Sequence, residues 1–306
     1  MRRVIHVLTG CTATGKTERA LRWAEANGAE IVSCDSLLFY RGLDIGTAKP
    51  TAAERARVPH HLIDNRAVTE PMDVTHYVTL ARAAVAEIHA RGHAVLVTGG
   101  SGFYLRAFFG PVADEIDVPA ELRAELRARL ERGGLAPLVA ELRAMNPGGL
   151  GALDVQNPRR VLRALERCRA AGRPLLELLA AFAAQPSAFA GYEVQLCEVV
   201  REKDELTARI VARVTAMLRA GLVDEVRGLL AQGLKENPSA AKAIGYRETI
   251  DVIEGRLPDS ELAGAIAKNT QGLVKKQRTW FKTQLPTHPQ VDGGSTDAGN
   301  LFVPPV

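Results

Sequence analysis

The 306-residue chain has few cysteines, no long apolar run and no internal repeat, and each absence removes a class of protein. Cys11, Cys34, Cys168 and Cys197 are scattered and form no C-x-x-C pair, which excludes the usual zinc and redox patterns and leaves reduced thiols as the default. Apolar runs such as Leu175 to Ala184 are short and interrupted, here by Glu177, so no membrane span is expected. The opening Met1-Arg2-Arg3-Val4-Ile5-His6-Val7-Leu8 leads straight into Gly10-Cys11-Thr12 with no cleavage site, and is expected to be a first strand rather than a signal. A cytoplasmic protein is the expectation.

What is present is ordinary for a soluble enzyme: 46% hydrophobic and 24% charged residues, with neither disorder nor a fibre implied. The formal net charge of +4 is a weak pull toward nucleic acid. Its distribution says more. Lys268, Lys275, Lys276, Arg278 and Lys282 follow one another with no acidic residue between them, a candidate phosphate-contacting surface.

Arg3 to Thr9 reads as a strand, Lys16 to Ala26 as a helix and Glu30 to Ser33 as a second strand. Val74 to Ala90 has helical apolar spacing, and Ala94 to Thr98 is a buried strand ending in Gly99-Gly100, so a parallel sheet is expected. From Val112 to Gln185 the pattern turns to helical segments broken at Gly133-Gly134, Pro147-Gly148-Gly149 and Gly172-Arg173-Pro174; Tyr192 to Val200 then returns as a strand. Helices are expected over Lys203 to Ala220, Val223 to Gln232, Ala240 to Gly255 and Asp259 to Thr283. The fold class is therefore α/β, a P-loop NTPase-like parallel sheet flanked by helices with an all-helical insertion domain. Residues 1–112 and 190–290 form the core, 113–189 the insertion and 291–306 a loose C-terminal tail.

Gly10-Cys11-Thr12-Ala13-Thr14-Gly15-Lys16-Thr17 matches G-x-x-x-x-G-K-[ST] between a strand and a helix, the context that gives the motif meaning. Backbone N–H groups and the helix N-terminus receive phosphate oxygens, Lys16 neutralises charge, and the Thr17 hydroxyl can ligate Mg²⁺. The loop does not reveal whether phosphate is transferred, hydrolysed or expelled. Asp35, just after the second strand, stands at the carboxyl edge of the sheet, where a carboxylate can accept a proton or merely close a turn.

The stretch from Asp35-Ser36-Leu37-Leu38-Phe39-Tyr40-Arg41-Gly42 to Lys49-Pro50 resembles a signature of the tRNA dimethylallyltransferases, and Pro59-His60-His61-Leu62-Ile63-Asp64 continues it. Gly99-Gly100-Ser101-Gly102-Phe103-Tyr104 is similar to the family's G-G-T-G-x-Y turn, with serine for threonine. The run from Asn157-Pro158-Arg159-Arg160 to Glu166 resembles its N-D-P-x-R helix start. Arg209 to Arg213 with Met217-Leu218, Lys242 to Arg247, and Lys275 to Phe281 complete the matches in the family's order.

The resemblance implies transfer of a dimethylallyl group from dimethylallyl diphosphate to the exocyclic amine of the adenosine 3′ of the anticodon, with release of pyrophosphate. It assigns the catalytic roles to Asp35 as base, Ser101, and Arg213 on the leaving group, with Mg²⁺ as cofactor on Thr17 and residues Gly10 to Thr17 holding the diphosphate. It implies tRNA contacts, on the anticodon stem-loop, for Asp35, Ser36, Leu37, Leu38 and Ser101. Further contacts fall to Arg123, Arg159, Arg160, Val161, Leu162 and Arg163 in the insertion, then Lys242, Ala243, Ile244, Gly245, Tyr246 and Arg247, and finally Lys275, Lys276 and Arg278. A monomer is the expectation.

Phe39, Tyr40 and Trp280 are read as core aromatics rather than base-stacking groups, and His60-His61 as structural, because no third metal ligand is set by spacing. The chain departs from the family at Leu38, often glutamine, and at Gln156-Asn157-Pro158; lacking zinc-finger cysteines, it resembles the bacterial type. Three rivals remain: a P-loop kinase using ATP, a prenyltransferase acting on free adenine nucleotides, and a non-enzymatic nucleic-acid-binding module. The first two leave the arginine-rich insertion without work, and the third leaves Asp35 and Arg213 unexplained.

Overall fold

The computed structural model describes residues 3–294 and 301–302. The chain divides into two compact units, Met1–Val112 with Ser187–Val306, and Ala113–Pro186. In chain order the larger unit begins with β1 (Val4–Gly10), α1 (Lys16–Ala26), β2 (Ala29–Ser33), α2 (Ala52–Arg57), β3 (His60–His61), α3 (Val74–Ala90), β4 (Ala94–Thr98) and α4 (Gly102–Arg106). The smaller unit holds α5 (Ala120–Gly133), α6 (Ala136–Ala144), α7 (Pro158–Ala171) and α8 (Leu175–Ala183). The larger unit resumes with β5 (Glu193–Val200), α9 (Lys203–Arg219), α10 (Leu222–Ala231), α11 (Pro238–Ala241), α12 (Tyr246–Ile253), α13 (Leu262–Gln284) and β6 (Gln290–Asp292).

The six strands form one parallel sheet in the order β3-β2-β4-β1-β5-β6. A parallel sheet is buried on both faces, and consecutive residues of its strands serve opposite layers. Val7, Val32 and Val97 face the larger apolar cluster shared with α3, α9 and α13. Their neighbours Leu8, Ile31 and Leu96 face the second cluster, with Leu21 and Trp23 of α1. The α/β class expected from the strand and helix periodicities is the observed one. The carboxyl ends of β1, β2 and β4 therefore meet at one edge, where open α/β sheets bind ligands.

The smaller unit has its own core of Leu126, Leu138, Leu142, Val161, Leu165 and Leu178. Asn157 starts α7 by accepting the Arg160 N–H at 3.2 Å, with Pro158 in the first turn. Buried Asn146 donates to Leu142 O at 2.6 Å and accepts from Leu175 N–H at 2.5 Å, so one amide ends α6 and begins α8.

Four expectations need correction. The insertion ends at Pro186 rather than 189, because Phe189 is buried in the larger unit and stacks on Phe108 with ring centroids 4.3 Å apart. Residues 291–306 are not wholly a loose tail. Val291 and Asp292 belong to the edge strand β6, and Leu301 and Phe302 are buried, with the Phe302 ring 4.8 Å from His6 and 5.0 Å from Trp23; residues 295–300 and 303–306 lie outside the described residues. The helix expected over 240–255 is two helices: α11 ends at Ala241, and α12 starts afresh from Gly245, which takes φ 94 as its N-cap while Glu248 reaches back to the Gly245 N–H at 2.7 Å. The fourth concerns buried residues expected to touch RNA, taken up below.

Candidate active site

Between β1 and α1 the backbone turns around an anion-sized hollow. Gly10 has φ 152, and a Cβ there would lie 2.4 Å from Val199 O, so only glycine fits. Three of the loop's carbonyls are already engaged by cations: Cys11 O by Lys16 Nζ at 2.8 Å, Ala13 O by Arg209 Nε at 2.9 Å, Thr14 O by Arg201 Nε at 3.2 Å. Carbonyls so engaged do not repel an anion at the N-terminus of α1. A cavity of about 580 Å³ lies over this loop, lined by Ala13, Gly15, Lys16, Thr17 and Arg209.

A second cavity of about 670 Å³ opens on the other side, lined by Ser36, Leu37, Ser101, Phe103, Lys276 and Trp280 among others. The two share four residues: Thr12, Asp35, Thr47 and Arg213. A carboxylate and a guanidinium from distant parts of the sequence thus stand at the neck between a phosphate hollow and a second chamber.

Each neck residue has a local cause. Asp35 follows β2 and accepts the Leu37 N–H at 3.0 Å on Oδ1, fixing a tight turn that leaves its other oxygen for the cavity. Ser101 Oγ accepts the Ser36 N–H at 2.9 Å, joining the ends of β2 and β4. That approach requires Gly99, where a Cβ would lie 2.1 Å from Cys34 O. Arg213 rises from α9 and donates to Thr47 O at 3.0 Å. Arg209 is one turn earlier on the same face, so both guanidinium groups serve one site.

The charges are tuned by burial. Lys16 is lowered to about 8, chiefly because burial disfavours its ammonium; the Asp35 carboxylate opposes that shift and Arg213 adds to it. Burial likewise lowers Arg213, again opposed by Asp35. A bound diphosphate would hold Lys16 protonated, so the Lys16 contribution to binding is fully present below about pH 8 and is lost as pH rises above it, by up to about tenfold per unit. In Lys16→Arg, whose charge does not titrate there, the profile is expected to flatten. Calorimetric titration with pyrophosphate from pH 7 to pH 10, read as the ratio of the two proteins, cancels the ligand's own ionisation. A constant ratio would show that Lys16 does not titrate against the ligand.

Ser36, Leu37, Lys242, Ala243, Ile244, Gly245 and Lys276 line the second cavity, and Leu38 the first. Arg247 is exposed and pairs with Glu248 at 2.5 Å; Lys275 is exposed but lines neither cavity. Tyr246 and Val161 are fully buried, so their side chains serve the cores and are not available to RNA. Arg278 donates to Arg201 O at 3.0 Å, bracing the residue that holds Thr14. In the smaller unit, Arg123, Arg159, Arg160 and Arg163 are exposed and Leu162 is half-buried. Phe39 and Tyr40 are core, as read; Trp280 is half-buried against the second cavity. His61 bonds buried Glu30 at 2.6 Å; His60 bonds Val58 O at 2.7 Å and lines the first cavity.

Sequence reasoning passed over Gln277, which accepts the Thr12 N–H at 3.1 Å and donates to Gly100 O at 3.0 Å, tying the phosphate loop to the β4 turn. Its neutrality hid it within a basic run. Arg209 could have been found from its spacing to Arg213. Thr17 offers a hard oxygen at the hollow, while no group of three His, Cys, Asp or Glu among the described residues could cage a metal. That donor set suits a Mg²⁺ ion held mainly by substrate phosphate oxygens and water.

A family model described as IPP transferase matches residues 38–284. The tRNA dimethylallyltransferase of Opitutus terrae is 64% identical over 299 residues, covering 97% of this chain and 96% of that protein. That of Deinococcus radiodurans is 43% identical, covering 92% and 90%. The solved full-length tRNA isopentenylpyrophosphate transferase of Bacillus halodurans superposes with a TM-score of 0.68 at 32% identity, covering 96% of this chain and 90% of that one. A eukaryotic dimethylallyltransferase described as acting on tRNA shares the fold, with a TM-score of 0.82 at 21% identity over 95% of this chain and 74% of that one. Matched by one model along most of its length, and by relatives over nearly all of it, the chain belongs to the IPP transferase family.

Proposed function

We infer that this protein transfers a dimethylallyl group from dimethylallyl diphosphate to tRNA, at the exocyclic amine of the adenosine 3′ of the anticodon. The observation that carries the reading is the neck: Asp35 and Arg213 line both the phosphate-loop cavity and the chamber beyond it. The diphosphate lies on Gly10 to Thr17 and the target base enters the second chamber from the opposite side. A base buried in a folded anticodon loop must first be unstacked and drawn out.

The amine nitrogen forms a bond to the allylic carbon as the carbon–oxygen bond breaks, and the electron pair leaves on pyrophosphate. Asp35 takes the proton that the attacking nitrogen becomes ready to lose. Lys16 and Arg213 stabilise the negative charge gathering on the leaving oxygens. Ser101, held against Ser36, faces the chamber and aligns the approaching base. Thr17 would hold Mg²⁺, which when bound supplies further charge neutralisation to the diphosphate. Arg159, Arg160 and Arg163 at the start of α7, with Arg123, grip the anticodon arm through its phosphates. In this reading the protein works in the cytoplasm as a monomer; no helix among the described residues is long and apolar enough to cross a membrane.

The test is to incubate the protein with labelled dimethylallyl diphosphate, Mg²⁺ and unmodified tRNA, AMP or ATP. Label moving into tRNA alone is expected. Transfer to AMP or ATP instead, or ATP consumption with a small acceptor, would replace this reading with one of its rivals. Arg160→Ala is expected to weaken tRNA binding and reduce its salt slope by about 1, with little change in the transfer step.

A further inference from the structure

The turn from Asp44 to Thr47 is held by one carboxylate from a distant helix. Glu225, in the first turn of α10, accepts the N–H groups of Asp44 at 3.2 Å and Ile45 at 2.6 Å on Oε2. Its Oε1 accepts the Gly46 N–H at 3.2 Å and the Tyr246 hydroxyl at 2.7 Å. Three successive amides around one anion form a nest, a rigid backbone concavity. Tyr246 is fully buried, and its ring lies so close to Gly46 that a Cβ there would meet it at 2.6 Å. On the other side Lys49, also buried, bonds Asp44 Oδ1 at 2.6 Å and Tyr40 O at 2.8 Å.

The next residue in this clamped turn is Thr47. Its hydroxyl is committed to Leu43 O at 2.6 Å, while its carbonyl accepts Arg213 Nη2 at 3.0 Å. Thr47 and Arg213 both line the neck between the two cavities. An arginine side chain has several rotatable bonds, and its planar fork stabilises charge only when its direction is set beforehand. Here one N–H is pinned by a carbonyl that cannot wander, which sets the plane of the guanidinium and leaves its remaining donors for the neck.

We propose that Glu225 and Tyr246 are positioning residues that aim Arg213 at the leaving pyrophosphate through the Asp44–Thr47 turn. The proposal rests on the reading of Arg213 as the diphosphate-facing arginine. It gives buried Tyr246, expected at first to touch RNA, a role behind the chemistry.

A mutant cycle in the full chain tests it, with single-turnover transfer to an unmodified anticodon stem-loop RNA as the readout. Glu225→Gln keeps the shape but removes the charge, and is expected to slow transfer about ten- to a hundredfold, with the KM for RNA changed by about twofold at most. Tyr246→Phe removes one hydrogen bond and is expected to slow it about threefold to tenfold. In an Arg213→Lys background, each change should cost about twofold or less, because the group being aimed is already gone. Full losses in that background, or a Glu225→Gln rate close to that of the unaltered protein, would overturn the proposal. Should Glu225→Gln fail to fold, the Tyr246→Phe arm decides. Should the unaltered protein transfer nothing to RNA, the broader reading fails, and the same cycle read by pyrophosphate affinity still judges the coupling of Glu225 to Arg213.

Discussion

Asp35→Asn is expected to lower the single-turnover rate of prenyl transfer by about a hundred- to ten-thousandfold, the range that a positioned general base contributes. The substitution is nearly isosteric, and an amide oxygen can still accept the Leu37 N–H that Asp35 Oδ1 holds at 3.0 Å, so the turn survives. What disappears is the charge and the ability to take a proton. Its removal takes one negative charge out of the neck, and because Asp35 opposes the lowering of both Lys16 and Arg213, the comparison is made at about pH 6 to 7, where a bound diphosphate still finds Lys16 protonated. Pyrophosphate affinity should therefore hold or improve while transfer collapses. Rapid-quench kinetics beside pyrophosphate calorimetry separates the two, and a rate close to that of the unaltered enzyme would remove Asp35 from the chemistry.

The second large effect is on folding. Gly99→Ala puts a methyl group 2.1 Å from Cys34 O and 2.3 Å from Cys34 C, both backbone atoms that no rotamer change can move aside. Overpacking of this kind costs about 1–3 kcal/mol where neighbours can yield, and here the ends of β2 and β4 must separate, so about 3 kcal/mol or more is expected. Thermal unfolding should show a melting point lower by about 6–12 °C at that cost. Gly100→Ala is the useful contrast: its Cβ would meet Gln277 Nε2 at 2.8 Å, the tip of a flexible side chain. It should melt near the unaltered protein yet bind pyrophosphate more weakly, because Gln277 gives up its hold on Thr12. Equal melting points for Gly99→Ala and Gly100→Ala would contradict the argument.

These contrasts indicate which parts of the molecule could be read from residues alone. Local signals were reliable where one stretch carries its own cause. The strand-loop-helix run from Val4 to Ala26 needs only a buried strand, glycines and a helical pattern. Val74–Ala90 and Ala94–Thr98 likewise declare their periods. Residues whose roles depend on distant partners were misread or passed over. Tyr246 sits in a family-like motif and looked like an RNA contact, but its ring is buried against Gly46 and its hydroxyl is spent on Glu225. Gln277 matters only because Thr12 and Gly100 meet it, from positions more than 170 residues away. The three residues of β6 are too few to show a period, and their pairing with β5 is a tertiary fact.

That short strand has a consequence for how the protein comes into being. β6 pairs with the outer side of β5, and the following Gly293 N–H reaches Val200 O at 2.8 Å. Synthesis from the amino end produces residues 290–292 after every other strand of the sheet, and after the 23 residues of α13. Until then the outer edge of β5 presents unpaired amides and carbonyls, an open template for strands of neighbouring nascent chains. A message truncated between α13 and β6 would still encode Asp35, Ser101 and Arg213, yet yield a product inclined to self-association.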